Sequence, residues 1–245
     1  MTENATERSA QLYARGAGLL YLLIIVCGVL GEMIVRSSLV VAGDAEATAS
    51  RIMAAPGLFR LGFLADSIMI MCDVALAVLL YILLKPVSKV VALAAMCFRL
   101  AQAAVLALNL LHYHAAMLLL IGSGYSAVFG ADQLNALAAL FLDLHGHGYD
   151  LGLLLFGIHC LLLGYLVFKS GYLPKVLGLL LVAAGLTYLI GSYTRFLFPD
   201  HVGAVAPIYI VAIISELSMC LWLLVKGVDL QAWKRVDRSS LSTAI

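Results

Sequence analysis

The sequence predicts an all-α fold, a polytopic bundle of six transmembrane helices with both termini cytoplasmic and short amphipathic helices on the outer side. Three observations carry that expectation. Hydrophobic residues make up 64% of the 245 and charged residues only 12%, with a mean hydropathy of +1.05, well outside the makeup of soluble domains. Six apolar runs are each long enough to cross about 30 Å of hydrocarbon as a helix, the element that satisfies its own backbone hydrogen bonds in lipid. Lysine and arginine gather at alternate ends of those runs, the pattern that marks a cytoplasmic face.

The first run, 16–35, is too long for a signal peptide and carries Glu32 near its end, which reads as a retained span. The second and third, 61–84 and 90–121, flank "KPVSK" and form a tight hairpin. The fourth and fifth, 149–168 and 174–197, flank "KSGYLPK" in the same way, and the sixth covers 204–225. The two hairpins look alike, although shared demand for leucine, valine and a lysine-flanked turn suffices to explain it. Residues 1–14 then form a cytoplasmic N-terminal segment, 15–227 the membrane domain and 228–245 a basic cytoplasmic tail whose Lys234, Arg235 and Arg238 suit anionic lipid. Two stretches in the longer connections, Asp44 to Ala54 and Asp132 to Leu144, have helical apolar spacing but are too short to span. They are expected along the outer interface, the second delivering the chain into "HGHG". Trp222 and Tyr172 fall where interface anchors belong.

Counting from the lysine-rich ends assigns each polar residue a depth, because a helix rises about 1.5 Å per residue. Asp73 lies 12 residues from Lys85, Arg99 10 from Lys89, His159 10 from Lys169, Tyr188 13 from Lys175 and Glu216 10 from Lys226. All five are expected near the midplane, on five different helices. A second layer holds Glu32, Asp66, Asn109, Asp150, Tyr193 and Tyr209, with His112, His114, His145, His147, Arg195 and His201 nearer the surface. Asp66 and Asp73, Gln102 and Asn109, and Tyr209 and Glu216 recur at an offset of seven, which returns to nearly the same helix face.

Charges at the bilayer centre are costly and demand partners. Asp73 and Arg99 stand at similar depth on one hairpin and are expected to pair. That leaves Glu216 and His159 as the functional pair of choice. Net charge is +1 with no basic block before the tail, so nucleic acid is not an expected partner. The five cysteines include no CxxC and read as small buried hydrophobes. No cofactor is firmly implied. A metal ion is compatible with His145, His159 and Glu216, yet His145 and His147 point to opposite sides of any regular helix, and no HExxH or His triad exists. Haem between helices takes one His from each of two helices, and it is disfavoured because His112 and His159, the two that approach suitable depths, stand at different levels. Ser123, Ser126 and Ser215 lack a Gly-x-Ser-x-Gly or Ser-His-Asp context.

The blocks "FRLGFLADSIMIMCDVALAVLLYILLKPVSK", "FRLAQAAVLALNLL", "GLLLFGIHCLLLGYLVFKSGYLPKVLG" and "ELSMCLWLLVKG" resemble the prokaryotic membrane family known as domain of unknown function 4386. The likeness runs from about Ala14 to Gly227 and implies a six-helix bacterial membrane protein of the cytoplasmic membrane, without supplying an activity. It places Glu32, Arg60, Asp73, Arg99, His145, His159 and Glu216 at family-like positions, favouring the midplane over the histidine-rich rim.

The leading expectation is an outward-opening polar cavity that binds a small or lipid-like ligand, or couples to a proton or cation. Asp73, Arg99, His159, Tyr188 and Glu216 form its floor, and Glu32, Asp66, Asn109 and Asp150 lie nearer its entrance. The alternatives are a membrane-embedded metal-dependent lipid hydrolase or oxidoreductase, and an accessory subunit whose buried charges merely pair. Enzymatic activity and homo-oligomerisation both stay open; the lipid bilayer is the one certain partner.

Overall fold

The structure, a computed structural model, describes residues 3–122 and 124–242, with side chains described for 9–122 and 124–239. Ser123 and the outermost residues of the expected N-terminal segment and basic tail lie outside the described residues. Among the described residues the secondary structure is helical throughout, without strands. α1 (Glu3–Val29) continues through a π-helical stretch, Leu30–Arg36, and a last turn, Ser37–Leu39. α2 (Ala45–Ala54), α3 (Pro56–Leu84), α4 (Lys89–Ile121), α5 (Ala131–Ser170) and α6 (Lys175–Leu197) follow. Short turns, Pro199–His201, Val202–Val205 and Ala206–Ile208, lead into α7 (Tyr209–Val225), and α8 (Leu230–Ser242) ends the described chain.

Among the described residues six helical stretches are long and apolar enough to cross a membrane: Ser9–Leu39, Pro56–Leu84, Lys89–Ile121, Ala131–Ser170, Lys175–Leu197 and Pro199–Val225. By helix length and composition the chain is therefore a multi-pass membrane protein. The short helix expected at 45–54 forms, with the Asp44 carboxylate accepting from the backbone N–H of Ala47 at 2.8 Å. The one expected at 132–144 does not stand apart. α5 runs unbroken for 40 residues through "HGHG", because a helical glycine costs only about 1 kcal/mol. Leu134, Ala138 and Leu142 offset that by joining a buried cluster with Phe59, Tyr113 and Ile52.

The chain divides into two compact units. A terminal unit comprises Met1–Leu22, Cys72–Gln102 and Leu151–Ile245; a central unit comprises Leu23–Met71 and Ala103–Asp150. Within the terminal unit α5 and α6 meet backbone to backbone. A Cβ on Gly164 would lie 2.7 Å from the Gly178 carbonyl oxygen, and one on Gly178 would lie 2.7 Å from that of Gly164. Gly157 and Gly185 repeat the contact at 3.0 and 2.7 Å. Small residues of this kind let helices approach where lipid supplies no hydrophobic drive between them.

The lysine-flanked turns and both chain ends of this unit are tied together by hydrogen bonds. The carbonyl of Leu83, left without a helical partner at the end of α3, accepts from the Tyr172 hydroxyl at 2.7 Å and the Trp233 indole N–H at 3.0 Å. Gln11 of α1 donates to the Lys226 carbonyl at 2.9 Å and accepts from the Val228 N–H at 3.2 Å. Tyr172 and Trp233, expected as an interface anchor and a tail residue, are 3% and 7% exposed, so each is a structural clamp instead. Burial, and after it the Asp237 carboxylate, push the Tyr172 phenol above the ordinary tyrosine value and keep it the neutral donor this bond requires. Four cysteines are buried as expected, but Cys97 is exposed, on an outer face of α4.

The glycine contacts generate a paired expectation. Gly178→Ala drives a methyl into backbone and is expected to cost about 2 kcal/mol or more of stability in detergent. Gly28→Ala meets only the Met69 sulfur at 3.7 Å and is expected to be neutral or stabilising. Equal thermal shifts in the two variants would contradict the close α5–α6 contact.

Candidate functional site

In the terminal unit, of the five residues expected at the midplane, Asp73, Arg99 and His159 are buried and Tyr188 and Glu216 half-buried. Arg99 on α4 is fully buried, and its guanidinium Nη2 donates to Asp73 Oδ1 of α3 at 2.5 Å. The Gln102 amide reaches the other Asp73 oxygen at 3.5 Å. The Arg99 carbon Cζ lies 5.3 Å from the ring centroid of Tyr21 and 5.1 Å from that of Phe156, so two aromatic faces complete the cation's surroundings.

His159 on α5 is the third partner, and its bonds define its tautomer. Nδ1 lies 2.8 Å from the Ala95 carbonyl oxygen, which accepts only, so Nδ1 carries the hydrogen. Nε2 lies 3.1 Å from Arg99 Nη1, which donates only, so Nε2 presents its lone pair. The imidazole is neutral and fully committed. Glu216 of α7 takes a different partner, a short hydrogen bond from the Tyr188 hydroxyl of α6. The expected pairing of Glu216 with His159 is thus replaced by two separate arrangements. Phe156 joins them, stacking on His159 at 5.5 Å and meeting the Tyr188 ring edge at 5.2 Å.

The central unit carries a second layer. Arg36, in the π-helical stretch, donates from Nε to Glu32 and from Nη1 to Asp66, both at 2.7 Å. Asn109 and His145 form a reciprocal clip between α4 and α5: the Asn109 amide donates to the His145 carbonyl at 2.8 Å, and His145 Nδ1 lies 3.2 Å from the Asn109 carbonyl. His112 stands 3.0 Å from the Asn109 side-chain oxygen. The glycine that follows His147 has its reason here, since a Cβ on Gly148 would lie 2.0 Å from that same oxygen. Asp150 is buried in this unit, and His147 is exposed, bonded to the Asp143 carbonyl of its own helix.

Sequence reasoning missed Tyr21, Phe156 and Arg36. The first two sit in apolar runs where an aromatic residue is ordinary filler; Arg36 was legible as the residue four after Glu32. Among the described residues no group of three or more His, Cys, Asp or Glu side chains is arranged to hold a metal ion. None of the candidates His145, His159 and Glu216 belongs to such a group.

Six helices long and apolar enough to span a membrane, among the described residues, together with buried ionisable groups in each unit, define a multi-pass membrane protein. The model of the family described as domain of unknown function (DUF4386) matches residues 16–227, and the chain belongs to that family. An uncharacterised protein of Archaeoglobus fulgidus is 34% identical over 160 residues, covering 65% of this chain and 80% of the relative. No solved structure matches.

The neutral His159 tautomer is checked by substitution. Glutamine keeps one donor and one acceptor for Ala95 and Arg99, whereas leucine leaves a guanidinium N–H unpaired in an apolar interior. His159→Leu is expected to cost about 1–3 kcal/mol more than His159→Gln in unfolding experiments; equal losses would remove the proposed hydrogen-bond roles.

Proposed function

We propose that this protein is a cytoplasmic-membrane protein that binds a small or lipid-like ligand, or couples to a proton or cation, at the polar layer around Glu216. Both termini and the two lysine-flanked turns then face the cytoplasm, in keeping with the distribution of Lys85, Lys89, Lys169, Lys175 and Lys226.

One observation carries the reading: the layer holds one more carboxyl than its fixed cation can neutralise. Asp73 already neutralises Arg99, and His159 is neutral by its hydrogen bonds. Among the described residues no ion pair reaches Glu216. An uncompensated carboxylate inside a membrane helix is expensive, so it carries a proton or meets a donor or cation from outside the chain. Further support comes from buried atoms of the same unit that lack a hydrogen-bond partner, Tyr21 Oη, Arg99 Nε, Gln102 Oε1 and Ser215 Oγ. Such atoms mark places for water or a polar ligand.

The test compares wild type with Glu216→Gln, purified without a His-tag and reconstituted in lipid. Proton uptake is followed with a pH-sensitive dye, and co-purified small molecules and lipids by native mass spectrometry. Glu216→Gln is expected to fold normally and to lose the proton uptake or the bound molecule. Unchanged uptake and unchanged bound species in a well-folded variant would sink the assignment; a stoichiometric metal lost on His159 substitution would replace it with the metal-enzyme reading.

A further inference from the structure

The central unit contains a second site of different construction, independent of the Glu216 reading. His145 is 4% exposed, and its Nδ1 hydrogen is held by the Asn109 carbonyl, so its Nε2 presents a lone pair. That Nε2 is buried without a hydrogen-bond partner and lies 3.9 Å from Asp66 Oδ2, beyond hydrogen-bond reach. Asp66 is 3% exposed; its Oδ2 accepts from Arg36 at 2.7 Å, while its Oδ1 is buried and unpartnered. Two acceptors thus face one another with no hydrogen between them.

Space exists for what is missing. Asp66, His145, Asn109 and Tyr149 line, with Met69, Ile70, Leu106 and Leu110, a void of about 10 Å³. That is room for about one water molecule. The local charge points the same way. Arg36 divides its charge between Asp66 and the largely exposed Glu32, so the buried Asp66 does not hold its cation alone while His145 is neutral.

We propose that Asp66 and His145 form a one-proton binding site: a single buried water donates to both acceptors when the imidazole is neutral, and a proton taken up at His145 Nε2 converts the pair into a buried ion pair. The proton adds to the Nε2 lone pair, no bond breaks, and Nδ1 keeps its hydrogen on the Asn109 carbonyl throughout. The groups around the pair are Cys27, Glu32 and Arg36 from the first helix and its π-helical continuation, Tyr113 and the Asn109-bonded His112 from α4, and Tyr149 on α5. Of these, Arg36 opposes the proton and the Glu32 carboxylate favours it. Tyr113 is occupied elsewhere, its hydroxyl donating to the Phe59 carbonyl at 2.9 Å while its ring lies 5.3 Å from that of His145. The π-helical stretch that carries Glu32 and Arg36 is a rare backbone form, frequent at functional sites, and it sets this cation beside Asp66.

The test is ¹⁵N NMR of histidine-labelled protein in lipid nanodiscs, titrated from about pH 9 to about pH 4, a range that brackets ordinary imidazoles. The His145 signal is the one lost in His145→Asn. At the alkaline end it is expected to show a hydrogen on Nδ1 alone, with Nε2 gaining a proton on acidification. In Asp66→Asn half-conversion is expected to need at least about tenfold more protons, because the partner carboxylate is gone. A hydrogen on Nε2 at the alkaline end, or an unmoved midpoint in Asp66→Asn, overturns the proposal. Where that variant fails to fold, wild type decides alone: a through-space correlation between protonated Nε2 and the Asp66 carboxyl carbon supports the site, and its absence overturns it.

Discussion

A guanidinium with no solvent exposure, Arg99, is the constraint from which the terminal unit's interior follows. A charge in that position is stable only if its attraction to a partner and its hydrogen bonds outweigh the cost of leaving water. Asp73 supplies the countercharge, His159 a lone pair, and Tyr21 and Phe156 the negative faces of two rings. Each contribution comes from a different helix or helix turn, so the cation fixes the rotation of α1, α3, α4 and α5 about their own axes. Apolar packing in lipid constrains rotation far less.

The central unit repeats the device with a looser result. Arg36 again pairs with a buried aspartate, yet a glutamate that is largely exposed takes its second face. In both units one fixed cation stands among two carboxyls: Arg99 with Asp73 and Glu216, Arg36 with Glu32 and Asp66. Structural pairing alone requires equal numbers. A carboxyl beyond the one each arginine neutralises is the observation on which the proposals at Glu216 and at the Asp66 and His145 pair rest.

Hydropathy, lysine spacing and turn length made the six helices legible, although the first begins at Ser9 rather than 16 and the fourth at Ala131 rather than 149. The depth count put Asp73, Arg99, His159, Tyr188 and Glu216 at one level, and in the structure Arg99 meets Asp73 and His159 while Glu216 meets Tyr188. It paired Asp73 with Arg99, as the structure has them, but not Glu216, because depth says nothing about azimuth: His159 points to Arg99 and Ala95, and Glu216 to Tyr188. Tyr21 and Phe156 carry no mark in sequence that distinguishes a ring over a cation from a ring in lipid. "HGHG" stood between an expected short helix and the fourth span, but Gly148 serves a close contact with Asn109, and one helix passes through it.

The dependence on the buried cation is tested most directly by a thermodynamic cycle on Asp73→Leu, Arg99→Met and the double variant, with stability measured in lipid nanodiscs. Removing Asp73 alone strands a guanidinium in hydrocarbon and is expected to cost about 3–5 kcal/mol. The double variant, with neither charge, is expected to recover most of that loss. A double variant as unstable as the sum of its single changes would show that the layer does not depend on neutralising Arg99.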